Sequence, residues 1–277
     1  MEILSAAVIW KSMLLLISII FLYFKTYLFL LHNAFTTKNY RNKQIPQSMG
    51  IFLWVMLFLF TLIQSPGSPS NIVIYVCMSI VFASGWLDDI VGNTLVKGLK
   101  GHFYYWLHHK KMTTGLIKIG ATTVASIVVA LYIVGWSGAA FYIAVSTLLL
   151  NTNTYNLLDV RPGRTIKYFH LLFFVFILLE PVLWFEPWVI AMLVGTMVLF
   201  PKDIGEKMMI GDSGANLLGF TIGIMSLHTS LWIQCSWLIC LIGIHLIAER
   251  SAISYWIEKV AILRWFDQLG RVRTSNK

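Results

Sequence analysis

Three short polar clusters interrupt an apolar chain, and each carries residue types that suit metal and phosphate chemistry. Gly85-Trp86-Leu87-Asp88-Asp89 puts two adjacent carboxylates at the end of an apolar run. Charge that close to hydrocarbon is costly, so it points to a site. Of such a pair, one member can ligate a divalent cation while the other accepts a proton or orients a nucleophile. The second cluster holds Asn153, Asn156 and Asp159 at i, i+3, i+6, a spacing that lines one face of a helix. Pro162-Gly163 then forces a turn and leaves Arg161 and Arg164 beside it. Arginine forks suit phosphate, although snorkelling to headgroups accounts for either residue alone.

The third cluster, Gly211-Asp212-Ser213-Gly214, opens another apolar segment. Backbone N–H groups at a helix start favour an anion, and Asp212 could bring a metal to it. The plainer alternative makes Asp212 or Ser213 a helix cap. Lys97 and Lys100 lie in a basic loop that either receives an anion or is simply solvated. His102, His108 and His109 lack metal-ligand spacing and read as surface residues.

The elements that must position these clusters are membrane helices. The 277-residue chain is 58% hydrophobic and only 12% charged, about half the charge of soluble domains. Spans are expected near 5–31, 49–64, 71–87, 114–134, 137–151, 168–184, 187–200, 214–228 and 231–248, the first of them an uncleaved span and not a signal peptide. Cys77, Cys235 and Cys240 fall inside apolar runs and read as packing residues. The whole chain is therefore expected to be one all-α, polytopic transmembrane bundle of about nine spans. The segment 251–270 adds a surface amphipathic helix, because Ile253, Trp256, Ile257, Val260 and Leu263 recur at helical spacing.

The net charge of +9 is not spread as in a nucleic-acid-binding protein. Connections carrying Lys38, Arg41 and Lys43, then Lys97, Lys100, Lys110 and Lys111, alternate with the uncharged 65–71 and 135–138. Arg161, Arg164 and Lys167, then Lys202 and Lys207, and finally a basic tail continue the alternation. Positive charge collects inside, so the N-terminus is expected outside, the C-terminus in the cytoplasm, and all three polar clusters at the cytoplasmic face.

The order of these motifs resembles the polyprenyl-phosphate N-acetylhexosamine-1-phosphate transferases, which start lipid-linked glycan synthesis at the bacterial cytoplasmic membrane. The resemblance covers roughly residues 38 to 220. It rests on the basic, proline-containing Lys43-Gln44-Ile45-Pro46, the Asp88-Asp89 pair with Lys97 or Lys100 downstream, Asn153 to Asp159, and Ile210 to Gly214. It implies transfer of a sugar-1-phosphate from a UDP-sugar to a polyprenyl phosphate, with Mg²⁺, or alternatively Mn²⁺, as cofactor. Asp212 would hold the metal with Asp89 as second ligand, and Asp88 would deprotonate or orient the lipid phosphate. Asn153, Asn156 and Asp159 would line the donor pocket, while Lys43, Lys97, Lys100, Arg161 and Arg164 would contact substrate. The implied partners are both substrates and the membrane, with a homodimer left open and no nucleic acid.

The chain departs from the family pattern in three ways. Pro162 stands where the family has a second aspartate, the late cytoplasmic histidine cluster is absent with Glu249-Arg250-Ser251 in the comparable region, and the chain is short. Two readings compete with the enzyme. One is a non-catalytic relative that binds polyprenyl phosphate or a partner enzyme; the other is a cation transporter, which would place its acids near mid-membrane in broken spans.

Overall fold

The computed structural model describes residues 6–39, 42–64, 68–92 and 98–271, with side chains from residue 16 onward except at 64 and 98–100. The apolar segments picked out above coincide with helices, except that 168–184 runs past an α-helix ending at Leu179 into a 3₁₀ turn, Pro181–Phe185. In chain order these are α1 Ala6–His32, α2 Gly50–Gln64, α3 Pro69–Val91, α4 Gly98–His109, α5 Thr114–Ile133 and α6 Ala139–Leu158. Then come α7 Arg164–Leu179, α8 Pro187–Ile204, α9 Gly211–Leu227 and α10 Leu231–Arg250, followed by the short α11 Ile253–Lys259 and α12 Ala261–Gln268. The protein is an all-α membrane bundle, 80% helical. Of the described helices, α3, α5, α8 and α10 are long and apolar enough, by length and composition, to cross a bilayer.

Helix α9 is the centre of the bundle. From Ser213 to Leu227 each of its residues is buried, which fits a helix apolar on every side. Lipid offers no hydrophobic drive between helices, so close backbone approach must supply the contact energy. A Cβ on Gly219 would lie 2.7 Å from the Thr152 Cα of α6, and one on Gly85 of α3 would lie 2.7 Å from the Asp212 carbonyl oxygen. Glycine at both positions lets α6 and α3 close on α9. By contrast, only 11% of the apolar window of α10 is buried. Its Trp232, Ile239 and Leu246 face outward, toward lipid.

Two connections are built, not loose. Strands β1 Thr36–Lys38 and β2 Gln44–Pro46 pair antiparallel, with Thr37 opposite Ile45. The Pro46 carbonyl accepts from Met209 N at 2.9 Å, Met49 N donates to Met209 O at 3.1 Å, and Gly50 N donates to Ile210 O at 3.0 Å. This ladder clamps the loop that leads into α9.

The expected single amphipathic helix over 251–270 is instead a helical hairpin, broken where Val260 adopts an extended backbone. The break turns Asp267 inward to Arg164 at the start of α7. Arg164 Nε donates to Asp267 Oδ1 at 2.7 Å, Nη2 to Oδ2 at 3.2 Å, and Nη1 to Ser254 Oγ at 2.9 Å. Lys167 Nζ meets the carbonyls of Phe266, Asp267 and Leu269 at 2.9, 2.5 and 3.2 Å, capping the end of α12.

Burial works against ionisation of Asp267, but the hydrogen bonds and charge of Arg164 outweigh it and hold the carboxyl below its ordinary range. A depressed folded pKa gives stability that is complete above the usual carboxylate value of about 4 and is lost as pH falls through the folded value. Asp267→Asn should therefore loosen the hairpin at neutral pH, costing about 3 kcal/mol because Arg164 is left buried without its counter-charge. Limited proteolysis between α10 and α12 reads this directly. Equal protection of wild type and Asp267→Asn at pH 7 would count against the clasp.

Candidate functional site

Asp88 and Asp89 are neighbours on α3 but face different partners. Asp89 reaches the start of α9, where its Oδ1 accepts from Asp212 N at 2.8 Å. Its Oδ2 accepts from Ser213 N at 3.1 Å and from Ser213 Oγ at 2.8 Å. No side chain of α9's own N-cap residue, Ile210, supplies this bond. The α9 cap is thus borrowed from α3, which corrects the alternative that Asp212 or Ser213 caps the helix. A carboxylate there also matches the positive end of the helix dipole. Gly211 is obligatory, with φ of +70° and a would-be Cβ 2.6 Å from Asp89 Oδ2.

With Asp89 committed, Asp88 and Asp212 are the acids that meet. Lys118, one turn into α5, donates to Asp88 Oδ2 at 2.9 Å and to Asp212 Oδ2 at 2.6 Å. Asn156 of α6 completes the cluster. In the amide orientation its neighbours demand, it donates to Asp212 Oδ1 at 2.7 Å and accepts from Lys118 Nζ at 3.2 Å. All three N–H groups of the ammonium are thereby used. Four helices, α3, α5, α6 and α9, each contribute one charged or polar member.

The cluster forms one wall of a cavity of ≈ 470 Å³ that also takes in Asn153, His102 and Asn216. His102, expected at the surface, lies on this cavity with its ring against Gly115, where a Cβ would come within 2.5 Å of Nε2. Asn216 is 1% exposed and its Nδ2 has no partner.

The remaining expected residues go elsewhere. Asp159 accepts from Thr165 Oγ1 at 3.0 Å and lines a separate cavity of ≈ 180 Å³ with Pro162, Asp203, Lys38 and Arg161. Burial, and then the charge of Asp203, push its carboxyl well above the ordinary range. Arg161 pairs with Glu258 of α11. Arg164, expected at a phosphate, has Nε and both terminal nitrogens bonded to Asp267 and Ser254. Lys43 is exposed in the β-hairpin turn. Lys97 lies outside the described residues, and for Lys100 only the backbone, in the first turn of α4, is described.

Among the described residues, no three His, Cys, Asp or Glu side chains converge to hold a metal. The acids that could share one with substrate are Asp88 and Asp212; the pairing of Asp89 with Asp212 is not the one the geometry favours. The residue missed from sequence was Lys118. Its signal was a lone lysine inside the apolar 114–134 segment, a charge that must find a partner. No protein-family model matches the chain, and no curated protein matches it.

These assignments separate two neighbouring acids by thermal stability. Asp89→Ala removes the α9 cap and should lower stability by about 1–2 kcal/mol. Asp88→Ala leaves Lys118 paired to Asp212 and should cost less. Unfolding of both variants in detergent measures the difference, and equal losses would argue that Asp89 is no more a cap than Asp88.

Proposed function

We propose that this chain transfers a sugar-1-phosphate from a UDP-sugar to a polyprenyl phosphate, releasing UMP, at the cytoplasmic face of a bacterial membrane. The observation that carries the reading is the meeting of Asp88, Lys118, Asn156 and Asp212 on the wall of one cavity, drawn from four helices. Nine spanning helices, with the N-terminus outside, would put that end of the bundle at the basic inner side. The acids gather at helix ends and not at mid-helix, which speaks against a cation pathway.

Asp88 and Asp212 are hard oxygen donors, and Mg²⁺ takes one or two carboxylates together with substrate phosphates. They fit that ion as the ligand pair, with Asp88 replacing the expected Asp89. When bound, the ion would supply Lewis-acid stabilisation of phosphoryl oxygens.

A lipid phosphate oxygen attacks the phosphorus that carries the sugar. A P–O bond forms to it, the bond from that phosphorus to the bridging oxygen breaks, and the electron pair leaves on UMP. Asp88, as a ligand of the ion, would orient the lipid phosphate, which reacts as its anion and needs no base. Lys118 holds positive charge where the equatorial oxygens gain negative charge. Asn156 keeps Asp212 and Lys118 in register.

The second reading, a non-catalytic lipid-binding relative, draws support from Lys118 itself, whose ammonium already neutralises both acids. Purified protein assayed with UDP-sugars and undecaprenyl phosphate decides between them. The enzyme reading expects Mg²⁺-dependent UMP release, reduced roughly hundredfold or more in Asp212→Asn and in Lys118→Met. Turnover in excess chelator would defeat the metal assignment, and no turnover with any UDP-sugar would favour the binder.

A further inference from the structure

His245 lies in α10, an outer helix with no part in the chemistry above, yet it bonds a residue that lines the cavity. Its Nδ1 lies 2.9 Å from the Leu241 carbonyl oxygen one turn back, and its Nε2 lies 2.9 Å from Asn153 Nδ2. A carbonyl oxygen only accepts, so Nδ1 carries the proton. In the neutral ring Nε2 then has a lone pair and accepts from the Asn153 amide. One N–H of the Asn153 amide is committed to α10, which leaves its oxygen, the sole acceptor of the group, and its second N–H for partners in the cavity that Asn153 lines.

We infer that His245 is a positioning residue that fixes the Asn153 carboxamide by its nitrogen, so that its oxygen is free to accept from a hydrogen-bond donor of the UDP-sugar. The inference rests on the transferase reading. A phosphate oxygen only accepts, so it cannot satisfy the Asn153 oxygen. Polyprenyl phosphate offers no donor except a proton on its phosphate. The sugar hydroxyls, the ribose hydroxyls and the uracil N–H are all donors, so Asn153 acts on the UDP-sugar and not on the lipid. Were His245 to present N–H at Nε2, the amide would have to turn over and offer nitrogen instead.

The test uses the full chain in detergent or nanodiscs and has two arms. In ¹⁵N-histidine NMR, His245→Gln should remove one Nδ1–H signal and Asn153→Ala should shift that same signal, while those of His108 and His109, whose Nδ1 atoms also face carbonyl oxygens, stay in place. In kinetics, His245→Phe should raise KM for the UDP-sugar about tenfold and leave KM for the lipid unchanged. His245→Gln, whose amide can still accept near the Nε2 position, should stay within about threefold of wild type. The double variant Asn153→Ala/His245→Phe should be no worse than Asn153→Ala alone, since the ring acts through that amide.

An Nε2–H tautomer, additive effects, or equal losses on both substrates would overturn the inference. If wild type turns over no UDP-sugar, the transferase reading and the sugar contact fall together. The NMR arm still decides whether His245 holds Asn153.

Discussion

A helix that starts at the membrane boundary and is buried throughout exposes N–H groups that neither lipid nor its own turns can satisfy. Helix α9 meets this demand through Asp89, whose carboxylate accepts from the backbone of Asp212 and Ser213 and from the Ser213 hydroxyl. Much of the site follows from that cap. It fixes α3 against α9, brings Asp88 to the level of Asp212, and leaves a gap between two carboxylates that Lys118 fills. The adjacent aspartates thus divide their work: one is architecture and the other faces the cavity.

The second constraint is steric. Gly85 and Gly219 let α3 and α6 approach the α9 backbone, so the polar ends of three helices converge within hydrogen-bond reach. Side chains at these contacts would push the helices apart and dissolve the cluster without touching any of its members. The ladder from Pro46 and Gly50 to Met209 and Ile210 does the same for the loop preceding α9. The basic hairpin therefore acts as a brace for the helix start, while Lys43 itself stays at the surface.

Much of this was legible in the chain because hydrocarbon punishes charge. The apolar segments emerged as helices, apart from the 3₁₀ turn after α7, and Asp88, Asn156 and Asp212 do meet. What escaped depends on pairings across long separations that no local pattern encodes. Lys118 looked like an interruption in a span until its partners 30 and 94 residues away were known. Arg164 read as a phosphate clamp because an arginine beside a Pro-Gly turn does not announce a carboxylate 103 residues later. Asp159 shares its periodicity with Asn153 and Asn156, yet α6 ends at Leu158. The turn then carries the acid out of the helical face into a different cavity.

The clasp between α7 and the C-terminal hairpin has a bearing on biogenesis. Arg164 and Lys167 leave the ribosome about a hundred residues before Asp267 and the α12 carbonyls that will satisfy them. During synthesis, α7 must enter the bundle with two cations still solvated or held at headgroups. Only when α12 folds back can that end of α7 be sealed. The hairpin thus imposes an order on assembly: a chain truncated within α10 would keep an open, cationic flank at the start of α7.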